Sequence, residues 1–482
     1  MIRFCARTIA CLLILTLLPG YAGVTSAVSD AEVPQTVTIA SPPAPMPSLT
    51  SDQLSKLYEV YTIQRGDCLI SIGEQFGVSW RYIAGLNGIK GPKYMIIAGQ
   101  TLKIPLLPKL PGTTGNYLIL CETEAQAKCL TEFAAFKTWS GFTVTVKSVE
   151  ADVKPAAKAD PCEAIRKYLK KMDKKLSLEY VLLIGDPHSV ESRCPQHTGG
   201  VIPMRYMYGE PSNHNTIYGT WFDENQNSEA FNTPTDIYYA FDFNWDYDAD
   251  GYAGERDEIT ESFKQAEPKL LFLLGRVPFS DTKDIGTMLN ATMQYELGQK
   301  THSDALIESI GDFSFYGEAL AENLNKANIE TTAICSDLEP YEFESANPSS
   351  VDYFNQEINK KYDFVYTNND FLFELVPNED VPIGLLFMDS PNSMMVEPWY
   401  DQVCVQDFLA NGTVCASIAV TRGIGFNPNH PDPRMASLLF SNGTLCVSRE
   451  FYTAMQLMIM ESNVPDAYIY CYLGDPSITL KP

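Results

Sequence analysis

The sequence predicts an α/β protein: a small β-α-α-β module, then a large region of two subdomains, each built on a parallel sheet. Three observations predict it. From Asn116 onward, apolar runs of five or six residues alternate with amphipathic stretches, the pattern of strands joined by crossover helices. Several runs stop at short polar turns such as Gly185-Asp186-Pro187, where an α/β sheet opens into its loops. A length of 482 residues exceeds one ordinary domain, and Pro/Gly-rich stretches mark the divisions.

Residues 1–27 read as an export signal. Arg3 and Arg7 precede the apolar run Thr8–Leu18, and Val24-Thr25-Ser26-Ala27 offers a small-residue cleavage site. The run is too short to span a bilayer, and no later stretch is long and apolar enough to do so. The net charge is −25, and the signal holds two of the 35 basic residues and none of the 60 acidic ones. Such acidity excludes nucleic acid or an anionic membrane as the main partner. It fits a secreted or periplasmic protein, or one that binds divalent cations. The cysteines beyond the signal, from Cys68 to Cys471, are widely spaced without a CxxC pair, so they form no zinc ribbon. Several read as small buried hydrophobes, with disulfides open outside the cytoplasm.

Residues 28–57, rich in Pro, Ser, Thr and Ala, cannot bury a core and read as a linker. Residues 58–106 form the small module. A strand at Tyr61–Ile63 leads into Gly66-Asp67-Cys68, with Asp67 placed to cap a helix Leu69–Phe76. Ser79 opens a second helix, Trp80–Leu86, which stops at Asn87-Gly88. The returning strand is read over Ile96–Leu102 and Ile104, through a turn at Ala98-Gly99-Gln100. This pattern resembles the LysM module at Tyr61, Gly66, Asp67, Leu69, Ile72, Asn87, Gly99, Gln100, Leu102 and Pro105; Cys68 stands where Thr is usual. The resemblance implies binding of peptidoglycan or another N-acetylglucosamine glycan. The groove would lie beside Gly66, Asp67, Cys68 and Leu69 on one side and Ile96, Ile97 and Gly99 on the other.

Residues 116–482 carry the large region, divided near residue 280. Tyr117–Cys121, Thr143–Val149, Tyr180–Ile184 and Leu270–Leu274 read as strands of the first subdomain, with helices at Glu124–Trp139 and Pro161–Met172. The less regular middle holds Asp246-x-Asp248-x-Asp250-Gly251. Three carboxylates at alternate positions followed by Gly match the start of a calcium loop. Tyr252 would offer a carbonyl and Asp257 the last ligand. No helix clearly flanks the loop in sequence, so it is read as distinct from an EF-hand. In the second subdomain, Ala305–Ile310, Glu330–Ile334, Tyr362–Thr367, Ile383–Met388 and Thr413–Val420 read as strands. Its helices are read at Thr282–Leu297, Gly317–Ala327, Asp352–Lys361, Tyr400–Ala410, Pro433–Phe440 and Glu450–Met460.

Five motifs in order resemble the gingipain-type cysteine peptidase domain: LLIGDP (Leu182–Pro187), TDIYYA (Thr235–Ala240), the Asp-rich loop, LLGRVP (Leu273–Pro278) and LGDPSITL (Leu473–Leu480). The resemblance implies two subdomains, the second caspase-like, bound calcium, and a His/Cys dyad in the loops after two adjacent strands. A cysteine peptidase needs a thiolate to attack and an imidazole to move its proton. Here Asn369 falls where His is expected, and Ser390 or Pro391 where Cys is expected. No His lies between His302 and His430 and no Cys between Cys335 and Cys404, so a shift of register cannot restore the dyad.

Substitutes are conceivable. His430 follows the strand expected beside Ile383–Met388, and a Ser390–His430 pair with Asp389 or Asp370 as orienter would imitate a serine triad. Asp370 and Asp389 would alternatively form a carboxylate pair. Cys404 and Cys415 read as core or disulfide positions. The leading expectation is a pseudopeptidase that binds peptides or proteins without cleaving them. The alternatives are an active endopeptidase with a non-standard nucleophile and a structural envelope protein.

Overall fold

The computed structural model describes residues 58–76, 83–84, 87, 89, 95–105, 115–155, 160–187, 200–208, 231–249, 253–254, 256–298, 302–311, 314–337, 357, 360, 362–368, 383–389, 405–421, 435–441, 445–460 and 464–482. The export segment and linker lie outside them, as do Ser79 and most of the helices expected at Trp80–Leu86 and Asp352–Lys361.

In the small module, β1 (Tyr58–Thr62) pairs antiparallel with β2 (Thr101–Pro105), and a helix spans Leu69–Phe76. The returning strand starts only at Thr101, because the chain first turns at Gly99, whose φ of +90° suits a residue without a Cβ. Leu69 and Ile72 share one helix face and pack with Ile63, Ile83, Ala84, Leu102 and Ile104 into a separate core. The helix cap differs from the expectation. Asp67 does not cap: its Oδ2 accepts from Tyr61 O–H at 2.8 Å and Gln64 N–H at 2.7 Å, so it braces the preceding turn. Cys68 and Ser71 cap each other instead. Cys68 N–H donates to Ser71 Oγ at 3.1 Å and Ser71 N–H to Cys68 Sγ at 3.4 Å, a reciprocal box. Asn87 ties the second helix to β2, exchanging hydrogen bonds with the Lys103 backbone at 2.8 and 2.9 Å.

In the large region the strands are β3 (Asn116–Cys121), β4 (Thr143–Ser148), β5 (Leu178–Ile184), β6 (Arg205–Tyr208), β7 (Phe231–Thr235), β8 (Phe241–Asp242), β9 (Lys269–Leu270), β10 (Leu273–Val277), β11 (Asp304–Ile310), β12 (Glu330–Ser336), β13 (Phe364–Thr367), β14 (Ile383–Met388), β15 (Val414–Val420) and β16 (Tyr470–Leu473). Ten of them form one sheet in the order β12-β11-β13-β14-β15-β16-β10-β5-β3-β4. The first-subdomain strands run parallel to one another, and so do β11 to β15. The two runs meet at β16, which pairs parallel with β10 and antiparallel with β15. The two blocks therefore point in opposite directions, and their carboxyl ends open on opposite edges. One apolar cluster lines both.

Several boundaries differ from the sequence expectation. The expected helix Glu124–Trp139 is two helices, Glu124–Cys129 and Thr131–Trp139. Thr123 caps the first in a full capping box. The expected strand Leu270–Leu274 breaks, and β10 continues through Gly275-Arg276-Val277. A helix at Arg256–Gln265 does follow the Asp-rich loop, contrary to the sequence reading. The element before the loop is the strand β8, so the arrangement remains distinct from a helix-loop-helix.

The family-like motifs converge on the join. Arg276, 0% exposed, is fully engaged. Its Nε and Nη2 donate to the two carboxylate oxygens of Asp236, each at 2.7 Å, and its Nη1 to Gly185 O at 3.1 Å and Ile202 O at 2.7 Å. Burial would lower the guanidinium's pKa, but Asp236 beside it raises it. Asp475 accepts from Tyr117 O–H at 2.9 Å and Ser477 N–H at 2.9 Å, and pairs with Lys137. Lys137 also reaches Glu296 at 2.6 Å. Burial works against the Lys137 charge, and Asp475 and Glu296 more than restore it. Burial pushes the Glu296 carboxyl up to about 7, against the pull of Lys137.

Candidate functional site

The candidate peptidase edge is built from the carboxyl ends of β11, β13, β14 and β15. These strands are buried on both faces, as central parallel strands are, and their apolar runs fix the register. Thr367 stands opposite Met388, and Asp389 N–H continues the ladder to Thr367 O at 2.8 Å. The two strands expected to carry the dyad loops are therefore neighbours and end level.

Several described residues at this edge are anchored by their side chains. The Asn368 side chain accepts from Ile310 N–H at 2.9 Å and donates to Ile310 O at 3.0 Å, tying the exit of β13 to the end of β11. Thr367 O–H donates to the buried Glu308 Oε2 at 2.6 Å. Asp389 accepts from Tyr470 O–H at 3.0 Å and Tyr366 O–H at 3.3 Å. Burial pushes its carboxyl up to about 7, and the two phenols draw it back only in part. Thr421, just past β15, donates to Pro234 O at 3.0 Å, so the middle segment reaches this edge. Among the described residues, this edge presents hydroxyls, an amide and carboxyls and no imidazole; the thiol of Cys471, on β16 opposite Ala419, is buried and donates to Ala419 O at 3.5 Å.

Asn369, Asp370, Ser390, Pro391, His430 and Cys404 lie outside the described residues. Of the histidines, His302 is described. It precedes β11 and meets Pro482 O at 2.5 Å, at the other end of the strand from Ile310. The described cysteines are free thiols. Cys121, Cys162, Cys415 and Cys471 are buried, as small hydrophobes are. Burial pushes the thiols of Cys121 and Cys335 up to about 12, the opposite of an activated nucleophile. The sequence reading missed Tyr366, Tyr470 and Glu308. A tyrosine inside an apolar run counts towards the run, and nothing local signals where its hydroxyl points.

The Asp-rich loop is closed by Gly254 N–H donating to Trp245 O at 2.7 Å. Trp245 is buried against Phe243 and Tyr468, whose ring centroids lie 4.9 and 6.1 Å away. Ala249 sits at φ +63°, a turn conformation, within the run of alternating carboxylates. Asp246 and Asp248 are described; Asp250 and Tyr252 lie outside, as does the side chain of Asp257 in the first turn of its helix. Asp246 and Asp248 offer oxygen donors, the kind a hard cation such as calcium takes, and among the described residues no group of three metal-ligating side chains forms.

In the small module, the expected groove residues lie on two separate turns. Gly99 N–H donates to Ile63 O at 2.9 Å and Ile63 N–H to Gln100 O at 2.9 Å, which sets the Gly99 turn beside the strand leading to Gly66. Both glycines have positive φ and open space where a Cβ would stand. Cys68 and Ile97 are exposed, Ile96 is half-buried, and the Leu69 side chain belongs to the core. Met95 (68% exposed) and Ile70 (53%) add apolar surface nearby in the chain.

Known proteins resemble this chain in two parts. The LysM domain model matches residues 61–105. The model of peptidase family C25 matches residues 92–367, more than half of the chain, and ends at the last residue of β13. A solved structure described as "Structure of Protease" is 12% identical, with a TM-score of 0.46 over 76% of this chain and 78% of that one. The complex of Porphyromonas gingivalis RgpB pro- and mature domains is 14% identical, with a TM-score of 0.47 over 76% of this chain and 79% of that one. No curated protein matches the chain. On the extent of its family match, the chain belongs to peptidase family C25, the gingipain family, and carries a LysM domain ahead of the peptidase domain.

Proposed function

We propose that this is an exported, peptidoglycan-associated protein whose peptidase-type domain holds peptides or proteins without cleaving them. One observation carries the reading: the loops after β13 and β14 read Asn369 and Ser390-Pro391 where the family's imidazole and thiol are expected. Asn cannot shuttle protons, and neither Ser nor Pro supplies a thiolate. The stretch carrying these loops lies beyond the family match. The LysM domain suggests glycan binding and so a place at the cell envelope. Among the described residues no helix is long and apolar enough to cross a membrane.

The test incubates the mature protein with a mixed peptide library, with and without calcium. Peptide retention without cleavage is the expected result. Cleavage abolished by Ser390→Ala and untouched by a thiol alkylator would instead favour a non-standard nucleophile. A protein that neither retains nor cleaves peptides would favour a structural envelope role.

Calcium is proposed for the loop Asp246, Asp248 and Asp250, with the Tyr252 carbonyl and Asp257 completing the set. A bound cation would neutralise the alternating carboxylates and hold the loop over Trp245. Calorimetric titration of the mature protein should give one calcium-dependent heat that Asp248→Asn abolishes; an unchanged titration would remove the loop from consideration.

A further inference from the structure

Asp389 is 4% exposed and stands on the last rung of the β14 ladder. Strand parity explains its neighbours. Tyr366 pairs with Phe387, and Asp389, two residues on, faces the same side. Tyr470 opens β16 opposite Val420. The rings meet edge to face around the site: Tyr366 to Phe387 at 5.1 Å between centroids, Phe387 to Tyr470 at 6.1 Å. A carboxyl is thus enclosed by aromatic rings contributed by three strands, with one phenol on each oxygen.

The groups that face it are few. From β13 comes Tyr366, and from β16 Tyr470. From β11, Ser309 and the Glu308 charge act on the Tyr366 phenol, Ser309 lowering and Glu308 raising its pKa. Val420 and Thr421 of the β15 end carry no charge. Among the described residues no cation pairs with Asp389. A neutral carboxyl can both accept from one phenol and donate to the other. An ionised one leaves a buried charge without a counterion, which is costly and favours entry of water.

We propose that Asp389 is a pH-responsive positioning residue: neutral, it bridges Tyr366 and Tyr470 and fixes where the chain leaves β14 toward residue 390; ionised, it loosens that exit. The bearing on ligand binding rests on reading this edge as a peptide site, whereas the clamp itself does not. Burial places the switch at about 7, within the range an envelope protein meets.

The experiment uses the mature chain with carbon-13 in its Asp carboxyls, Asp389→Asn supplying the assignment. One carboxyl should titrate at about 7 and vanish in Asp389→Asn. Amide exchange protection of Leu385–Met388, corrected for intrinsic rates, should fall by up to about tenfold per pH unit as pH rises from the ordinary carboxylate range to that midpoint, and level off above it. It should stay level in Asp389→Asn. Tyr470→Phe, which removes one donor to the ionised form, should move the midpoint upward. Titration in the ordinary carboxylate range, level protection in the wild type, or an unchanged pH response in Asp389→Asn each overturns the clamp. Retention of a mixed peptide library, measured across the same pH series, should weaken with the same midpoint. Retention that ignores a titrating clamp overturns the positioning role. Absence of retention at every pH overturns the peptide-site reading, and the carboxyl and exchange signals still decide the clamp.

Discussion

Arg276 shows how one side chain can hold a junction. The four hydrogen bonds it donates go to buried acceptors, and two of them form a fork on Asp236. Removing one member of such a pair strands the other charge in the interior. Asp236→Ala is therefore expected to destabilise the domain by about 3–5 kcal/mol, read as a lower midpoint in urea denaturation. Asp389 makes a different contribution. Its carboxyl favours the folded state while protonated, because its folded pKa of about 7 lies above the ordinary value of 3.8. That contribution is complete below 3.8, declines as pH rises, and is spent once pH passes about 7. Asp389→Asn should lose this slope, so that thermal midpoints of variant and wild type diverge most above neutrality. Sequence reading reached Asp389 as an orienter for a hypothetical nucleophile or as one half of a carboxylate pair with Asp370. It had no access to the two phenols, because contacts between residues 23 and 81 positions apart leave no local pattern.

At the scale of elements, periodicity located the long strands of the second block closely, since buried parallel strands are continuous apolar runs. Ile383–Met388 has the same bounds in sequence and structure. The strand β10 was cut short, because Gly275 and Arg276 read as a terminator. Both belong inside the sheet for reasons outside the run. Gly275 admits the Gly474 carbonyl: a Cβ there would lie 2.0 Å from that oxygen. Gly275→Ala should accordingly force β10 and β16 apart, and loss of exchange protection in Tyr470–Leu473 checks it. The strand β16 was missed altogether, being four residues long and antiparallel to one neighbour. In the LysM helix, the box formed by Cys68 and Ser71 explains why Cys is tolerated where Thr is usual. Cys68→Thr should keep the fold and strengthen the cap, while Cys68→Ala should cost about 1 kcal/mol of module stability by thermal denaturation.

At the scale of the whole molecule, the family signature and the candidate chemistry are separated. The LLIGDP and LLGRVP turns close the carboxyl edge of the first block, whereas Asn368 and Asp389 stand at the carboxyl edge of the second, on the other side of the sheet. A chain can therefore keep the architecture that identifies the family while the loops after β13 and β14 change. The LysM domain should act independently of both edges. Deleting residues 58–106 is expected to abolish retention on insoluble peptidoglycan and leave peptide retention intact, as a sedimentation assay would show; unchanged sedimentation would assign the anchoring elsewhere.

The strand β16 is the exception to that separation. Its first residue, Tyr470, touches Asp389, and three residues on it ends beside Arg276, one step before Gly474 and the Asp475 lock. At about 3.3 Å per residue it is a strut roughly 10 Å long with one foot on each rim. Whatever tightens or slackens the Lys137–Asp475 anchorage therefore has a direct mechanical route to the mouth of the opposite rim.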